Sequence, residues 1–128
     1  MDVGSWLEAY RRAWEEADAE AAAALFDEES TYRSNIFEAP YEGRDGVRRY
    51  WQDVTRTQAN VHVRIGRPFI DGDRVAAEFW TTMLVDGAET TLPGCLLLLF
   101  GEDGLCRSLR EYWHFEPGLL EPPPEWGS

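Results

Sequence analysis

Aromatic residues recur at every fourth position near the start of the chain, at Trp6, Tyr10 and Trp14, with Leu7, Ala13 and Ala17 beside them. That spacing places them on one face of an amphipathic helix. Ser5, three residues ahead of Glu8, predicts a capping box at its start. Asp18 predicts the cap of a second, short helix from Ala19 to Phe26, rich in strong helix formers. A strand is predicted at about Thr31 to Phe37, broken by Pro40 and Glu42-Gly43-Arg44. Asp45 then predicts the cap of a third helix, whose inner face is Val47, Tyr50, Trp51 and Val54.

From Asn60 onward the pattern changes to alternation. Asp71-Gly72-Asp73, Asp86-Gly87 and Glu102-Asp103-Gly104 read as turns that separate the four long strands of a meander. Placing Ile70 opposite Arg74, Val85 opposite Ala88 and Phe100 opposite Leu105 sorts the side chains onto two faces. One face is apolar, with Val63, Phe79, Met83, Leu96, Leu109 and Trp113, and carries Thr81 and Glu111 as its main polar groups. The other mixes His62, Arg64, Glu78, Trp80, Arg110 and His114 with Leu84, Leu97, Leu99 and both cysteines. Helices are expected to cover the first face. The predicted class is α+β, a single domain over 1–128 with a core at about 5–116 and an irregular Pro-rich tail over 117–128.

The chain has 128 residues, the usual length of one domain, and 44% of them are apolar, enough for a sizeable core. Its formal charge of −12 argues against nucleic acid or an anionic membrane as a partner, because both require a positive surface. All 12 basic residues are arginine, so no lysine is present for Schiff-base chemistry. Cys95 and Cys106 are too few for a disulfide framework, and the register keeps them apart. The first residues lack the charged and apolar regions of a secretory signal, and the apolar run Cys95 to Phe100 is too short to span a bilayer. The expectation is a cytoplasmic protein.

Glu111 is the sharpest chemical feature. A carboxylate among Phe79, Leu109 and Trp113, opposite Gly94, would be desolvated and its pKa raised, which suits general acid/base work. The competing reading is a buried ion pair with Arg107 or Arg33. Tyr10, Trp14 and Trp51 project from two helices toward the same face, either as the wall of a pocket or as ordinary core. Tyr10 is the candidate hydrogen-bond donor to a ligand oxygen. The other candidate lining residues are Tyr32 and Ser34 from the first strand, and Phe79, Thr81, Met83, Leu96 and Trp113 from the meander. His62 and His114 lack metal-ligand spacing, so no metal is expected, and no nucleotide or phosphate loop implies a cofactor.

Ala13-Trp14 with Asp18, Ala24-Leu25-Phe26, Gly43 to Val47 leading into Tyr50-Trp51, and Leu109-Arg110-Glu111-Tyr112-Trp113 stand in an order that resembles the SnoaL-like branch of the nuclear transport factor 2-like superfamily. The resemblance implies a cone-shaped fold, three N-terminal helices on a curved, mostly antiparallel sheet enclosing a pocket, and a homodimer through the outer sheet face. Against steroid isomerases of that superfamily, the oxyanion-binding tyrosine falls on Tyr10. The two acidic positions fall on Ser34 and Leu96, so ketosteroid isomerase chemistry is not implied. His114 stands where related cyclases often carry an aspartate. Three readings follow: a cofactor-independent isomerase or lyase using Glu111, a non-catalytic module binding a small apolar molecule, or a dimeric interaction domain with a filled cavity. On the outer face, Trp80, Leu84, Leu97 and Leu99 form the expected dimer patch, with Trp80 as its anchor.

Overall fold

A computed structural model describes residues 2–128. Three helices, α1 (Val3–Glu15), α2 (Ala19–Ala23) and α3 (Gly43–Thr55), alternate with and precede eight strands. The strands are β1 (Phe26–Arg33), β2 (Tyr41–Glu42), β3 (Gln58–Ile65), β4 (Phe69–Asp71), β5 (Arg74–Val85), β6 (Ala88–Phe100), β7 (Cys106–Trp113) and β8 (Glu116–Pro117). The sheet order is β2-β1-β7-β6-β5-β3, with β4 paired to β5 and β8 to β6. Every pairing is antiparallel except β1 with β7. The α+β class and the helix-covered inner face agree with the sequence reading.

The element ends differ from the predicted ones for local reasons. Asp2, not Ser5, caps α1: its carboxylate accepts from the Ser5 backbone N–H at 2.7 Å, while Glu8 pairs with Arg11 instead. Ala17 lies beyond the end of α1, in a left-handed turn. The second helix stops at Ala23, because Leu25 and Phe26 are taken into the core and the chain is already extended at Phe26. The first strand ends at Arg33, since the Asn35 side chain accepts from Phe37 N–H and turns the chain. Asp45 sits inside the first turn of α3 and holds Arg48 at 2.6 Å rather than capping. At the start of that helix only glycine fits: Gly43 has φ +67°, and a Cβ there would lie 2.8 Å from the Glu28 carbonyl oxygen.

The β5–β6 hairpin has the predicted register, Val85 opposite Ala88. The other two turns do not. Gly72, at φ +61°, makes a tight two-residue turn, so Asp71 faces Arg74 and Ile70 faces Val75. The turn after β6 is one residue longer than predicted, which puts Phe100 opposite Cys106 and turns Cys106 into the core, where it is fully buried. A bulge near Arg107 adds a second residue and restores the alternation, with Leu99 opposite Ser108. Together the two shifts place Glu111 opposite Leu96 and Trp113 opposite Gly94. Past the bulge the alternation is as predicted, so Leu109 and Glu111 still face inward. Both cysteines are free.

The tail is not irregular throughout. Glu116 and Pro117 pair with Thr91 and Thr90, and the Thr91 hydroxyl donates to the Gly118 carbonyl at 2.7 Å. The chain then crosses the outer face to Trp126, whose ring lies 6.0 Å from that of Trp80. Trp80 donates its indole N–H to the Leu120 carbonyl. The predicted dimer anchor is therefore met by the chain's own tail.

Candidate functional site

The core aromatic stripe of α1 does what its spacing predicts. Trp6 and Tyr10 stack at 5.3 Å, and the Trp6 indole donates to the Leu25 carbonyl at 2.9 Å. Trp14, one turn further, meets Trp51 of α3 at 5.6 Å and Phe79 of β5 at 5.5 Å. Phe79 can lie flat across the sheet because residue 94 is glycine; a Cβ there would stand 2.4 Å from its ring. Beyond these packed rings, toward the open end of the cone, remains a cavity of about 290 Å³. Trp14, Tyr50 and Trp51 form its helical wall, Met83 and Glu111 its sheet wall, and Trp113 and Phe115 its mouth.

Glu111 is 7% exposed and, among the described residues, has no cationic partner. The ion-pair reading thus fails for a specific reason: Arg33 donates to the Glu38 carbonyl at 2.7 Å, and Arg107 lies along Gly101. Instead Glu111 Oε1 accepts from the Tyr32 hydroxyl, and the Tyr32 and Tyr10 hydroxyls lie 2.8 Å apart. Tyr32 has one hydroxyl proton and spends it on Glu111, so Tyr10 must donate to Tyr32. The chain of bonds runs one way, from Tyr10 through Tyr32 to the carboxylate. Among the described residues Oε2 has no hydrogen-bond partner and is not sealed among buried atoms, and the Glu111 side chain lines the cavity.

Burial pushes the Glu111 carboxyl up to about 7, against the opposing pull of the Tyr32 and Tyr10 hydroxyls. The same burial, with Glu111 adding its negative charge, drives Tyr10, Tyr32 and Tyr50 well above the usual phenol range. These tyrosines are donors throughout the physiological range, and Glu111 alone changes charge there.

The structure sorts the predicted site residues into two layers. Trp14, Ser34, Trp51, Met83, Glu111 and Trp113 line the cavity. Tyr10, Tyr32, Phe79, Thr81 and Leu96 lie behind that surface, each 1% exposed or less. Tyr10 consequently donates to Tyr32 and does not reach the cavity with its hydroxyl. Trp113 is pinned across the mouth by a 2.6 Å bond to the Ser34 carbonyl. The sequence reading missed seven lining residues: Tyr50, Gln58 and Phe115, and the smaller contributors Val54, Thr57, Val85 and Leu92. Tyr50 was legible, since it falls on the inner stripe of α3. Gln58 was not, because its role is to accept the Trp14 indole N–H at 3.0 Å from a strand that starts earlier than predicted. Among the described residues, the Trp51 indole N–H and the Thr81 hydroxyl have no partner.

Among the described residues, no group of histidine, cysteine, aspartate and glutamate side chains has the arrangement of a metal site. No helix among them is long and apolar enough to cross a membrane. His62 and His114 face outward, and His114 Nε2 lies 3.1 Å from Glu116.

Helices on a curved sheet around an acid-bearing aromatic cavity are matched by a family model described as SnoaL-like domain, over residues 7–109. The chain belongs to that family. Solved structures agree on the fold. A hypothetical protein from Catenulispora acidiphila DSM 44928, with a ketosteroid isomerase-like fold and in complex with trimethylamine, is 24% identical; the match has a TM-score of 0.78 and covers 87% of this chain and 86% of that one. SalBIII, an epoxide hydrolase/cyclase-like enzyme of pyran ring formation in salinomycin, is 22% identical with a TM-score of 0.75, over 87% and 89% of the two chains. An LEH-like epoxide hydrolase of M. tuberculosis is 17% identical with a TM-score of 0.71, over 86% and 80%. No curated protein matches the chain. Glu111 stands directly across the strand pair from Leu96, one of the two positions where the steroid isomerase resemblance implied an acid.

Proposed function

We propose that this SnoaL-like protein takes one small, mostly apolar organic molecule into its aromatic cavity, where Glu111 exchanges a proton with it. The chemistry would be cofactor-independent acid/base catalysis of the isomerase or lyase type. A single observation carries this reading: a buried carboxyl, lifted to about 7 and held at one oxygen by Tyr32, lines a cavity that no cationic side chain lines among the described residues. A base with such a pKa is half ionised at neutral pH and still strong enough to take a weakly acidic proton. The cavity is at the small end of ligand sites, which run about 300–1,000 Å³, so one ring or a short branched chain fits. Support comes from structural relatives that are an epoxide hydrolase and an epoxide hydrolase/cyclase-like enzyme, and from one that holds trimethylamine.

The second reading is a binding module without turnover. One observation favours it: besides Glu111, the only titratable side chain lining the cavity among the described residues is Tyr50. A reaction needing a separate acid and base would have to use that phenol. The two readings part in one experiment. Incubation with a small-molecule library in deuterated water, read by mass spectrometry, is expected to show bound compounds that gain deuterium or are converted. Glu111→Gln should slow that exchange by about 10²-fold or more in compounds that both proteins retain. Exchange that persists in the variant would remove Glu111 as the base. Compounds retained unchanged by both proteins would leave the binding module.

A further inference from the structure

The composition of the cavity wall says more about the ligand than its size does. Trp14, Tyr50, Trp51, Trp113 and Phe115 supply five aromatic side chains, and Glu111 supplies the one ionisable group among them that titrates near neutral pH. Neighbouring rings stand at steep angles, Tyr50 to Trp51 at 82° and Trp14 to Trp51 at 62°, with centroids 5.3 and 5.6 Å apart. These are edge-to-face contacts, so the ring planes run in different directions around the wall. Among the described residues lining the cavity there is no arginine or histidine.

An aromatic face carries negative electrostatic potential, and attracts a cation within about 6 Å of its centroid. A carboxylate taken out of water without a counter-ion is costly unless a cation arrives. Both features of this wall lack the same partner. An anion would meet repulsion from Glu111 and from the ring faces. A neutral ligand would satisfy the rings and leave the carboxylate uncompensated. A small ammonium ion wrapped in alkyl groups answers both, because its methyl groups pack on the rings while its charge faces the Glu111 carboxylate. The net charge of −12 adds a field that draws cations toward the chain.

We propose that the ligand of this cavity carries a small alkylated ammonium head, tertiary or quaternary, boxed by Trp14, Trp51, Tyr50 and Trp113 and paired with Glu111. The proposal rests on the pocket reading above but not on turnover. Three probes of nearly one shape test it: choline, the neutral 3,3-dimethylbutan-1-ol and the anionic 3,3-dimethylbutanoate. Binding is followed by calorimetry and by tryptophan fluorescence.

Choline is expected to bind at least tenfold more tightly than the alcohol, and the carboxylate not at all. Choline keeps its charge at every pH, so its affinity reports the protein. The titratable groups that face Glu111 are Tyr10, Tyr32 and Tyr50, all held protonated, so choline affinity should fall as pH drops below about 7 and Glu111 takes up a proton. The alcohol should show no such slope. Trp113→Leu changes a half-exposed side chain at the mouth and should weaken choline about three- to tenfold with the fold intact. Glu111→Gln should erase the preference for choline over the alcohol. Equal binding of choline and the alcohol at pH 8 would overturn the ammonium head and leave the pocket reading standing. If none of the three enters, the ammonium proposal falls, and the library experiment alone decides whether the cavity takes a ligand.

Discussion

Phe79 and Trp80 are neighbours in β5 and point to opposite faces of one sheet. On the inner side, Phe79 is fully buried among Trp14 and the cavity wall, and the single carboxylate nearby has no cation. On the outer side, Trp80 is half-buried under the tail, and charges are plentiful but exposed. There Arg64 lies 3.9 Å from Glu121, with its guanidinium 5.3 Å above the Trp126 ring. Aromatic residues and charges occur on both faces, so composition does not separate them. What separates them is access to water. The outer charges are solvated and contribute little to stability, whereas the inner one is desolvated and gains the proton affinity that chemistry or recognition can use.

The comparison breaks most visibly at those two positions. Phe79→Ala is expected to cost about 3–5 kcal/mol, since it empties a packed site beside a glycine that was selected to admit the ring. Trp80→Ala should cost less, about 1–2 kcal/mol, because the tail can settle onto the exposed strand. Urea unfolding of the two variants measures the difference directly. Equal costs would mean that the tail packs on the outer face as tightly as the helices pack on the inner one.

The next effect concerns Glu111 and pH. In the folded chain its carboxyl is raised from an ordinary 4.5 to about 7. Across that window the folded chain binds a proton that the unfolded chain has released, so stability falls as pH rises. The contribution is fully present below about 4.5, is lost as pH rises through 7, and amounts to about 3 kcal/mol. Glu111→Gln keeps an acceptor for Tyr32 and removes the charge. It should therefore be more stable than the parent at pH 8 by up to about 3 kcal/mol and nearly equal to it at pH 5. A variant less stable at both values would show that the carboxylate is held by favourable contacts and is not a cost borne for the site.

Much of this contrast was legible before any coordinates, and the part that was not has a common cause. Strong periodicity located the three helices, and the β5–β6 turn fixed which residues share a face, so Glu111, Thr81 and Trp51 were assigned inward correctly. What failed was local chain geometry. The turn before β7 is one residue longer than its sequence suggests, which moved Cys106 inward, and the bulge near Arg107 adds another, so that Glu111 lies opposite Leu96 and not Gly94; alternation alone shows neither. Tyr10 was read as a donor to a ligand oxygen from its place on the inner stripe of α1, and again from a position shared with steroid isomerases. Its actual partner is Tyr32, which reaches Glu111 because β1 runs parallel to β7, a pairing far apart in sequence. The tail was read from its prolines, which do exclude a central strand, yet Thr91 and Trp80 supply the bonds that anchor it without regular structure.

The smallest effects lie on the outer face, where the tail divides the surface. It covers Trp80 but leaves Leu97, Leu99, Phe69 and Ile70 around a separate groove of about 430 Å³. Phe69 and Ile70 are 66% and 57% exposed, more than the rest of the sheet's apolar positions. We propose that a second copy docks at this bare end and not at Trp80, with Arg74 and Arg110 at its edge. Light scattering at micromolar concentration is then expected to give twice the 14.7 kDa chain mass. Leu99→Glu should return it to one chain, at about 2 kcal/mol if Leu99 is central to the contact. Trp126→Ala serves as the control, because it loosens the tail from Trp80 and Arg64 without touching the groove. It should cost about 1 kcal/mol of stability, from one lost ring contact and one cation–π pair on a surface open to solvent, and leave the mass unchanged. Loss of the dimer in Trp126→Ala would join the two ends of the outer face into one interface, with the tail as part of it.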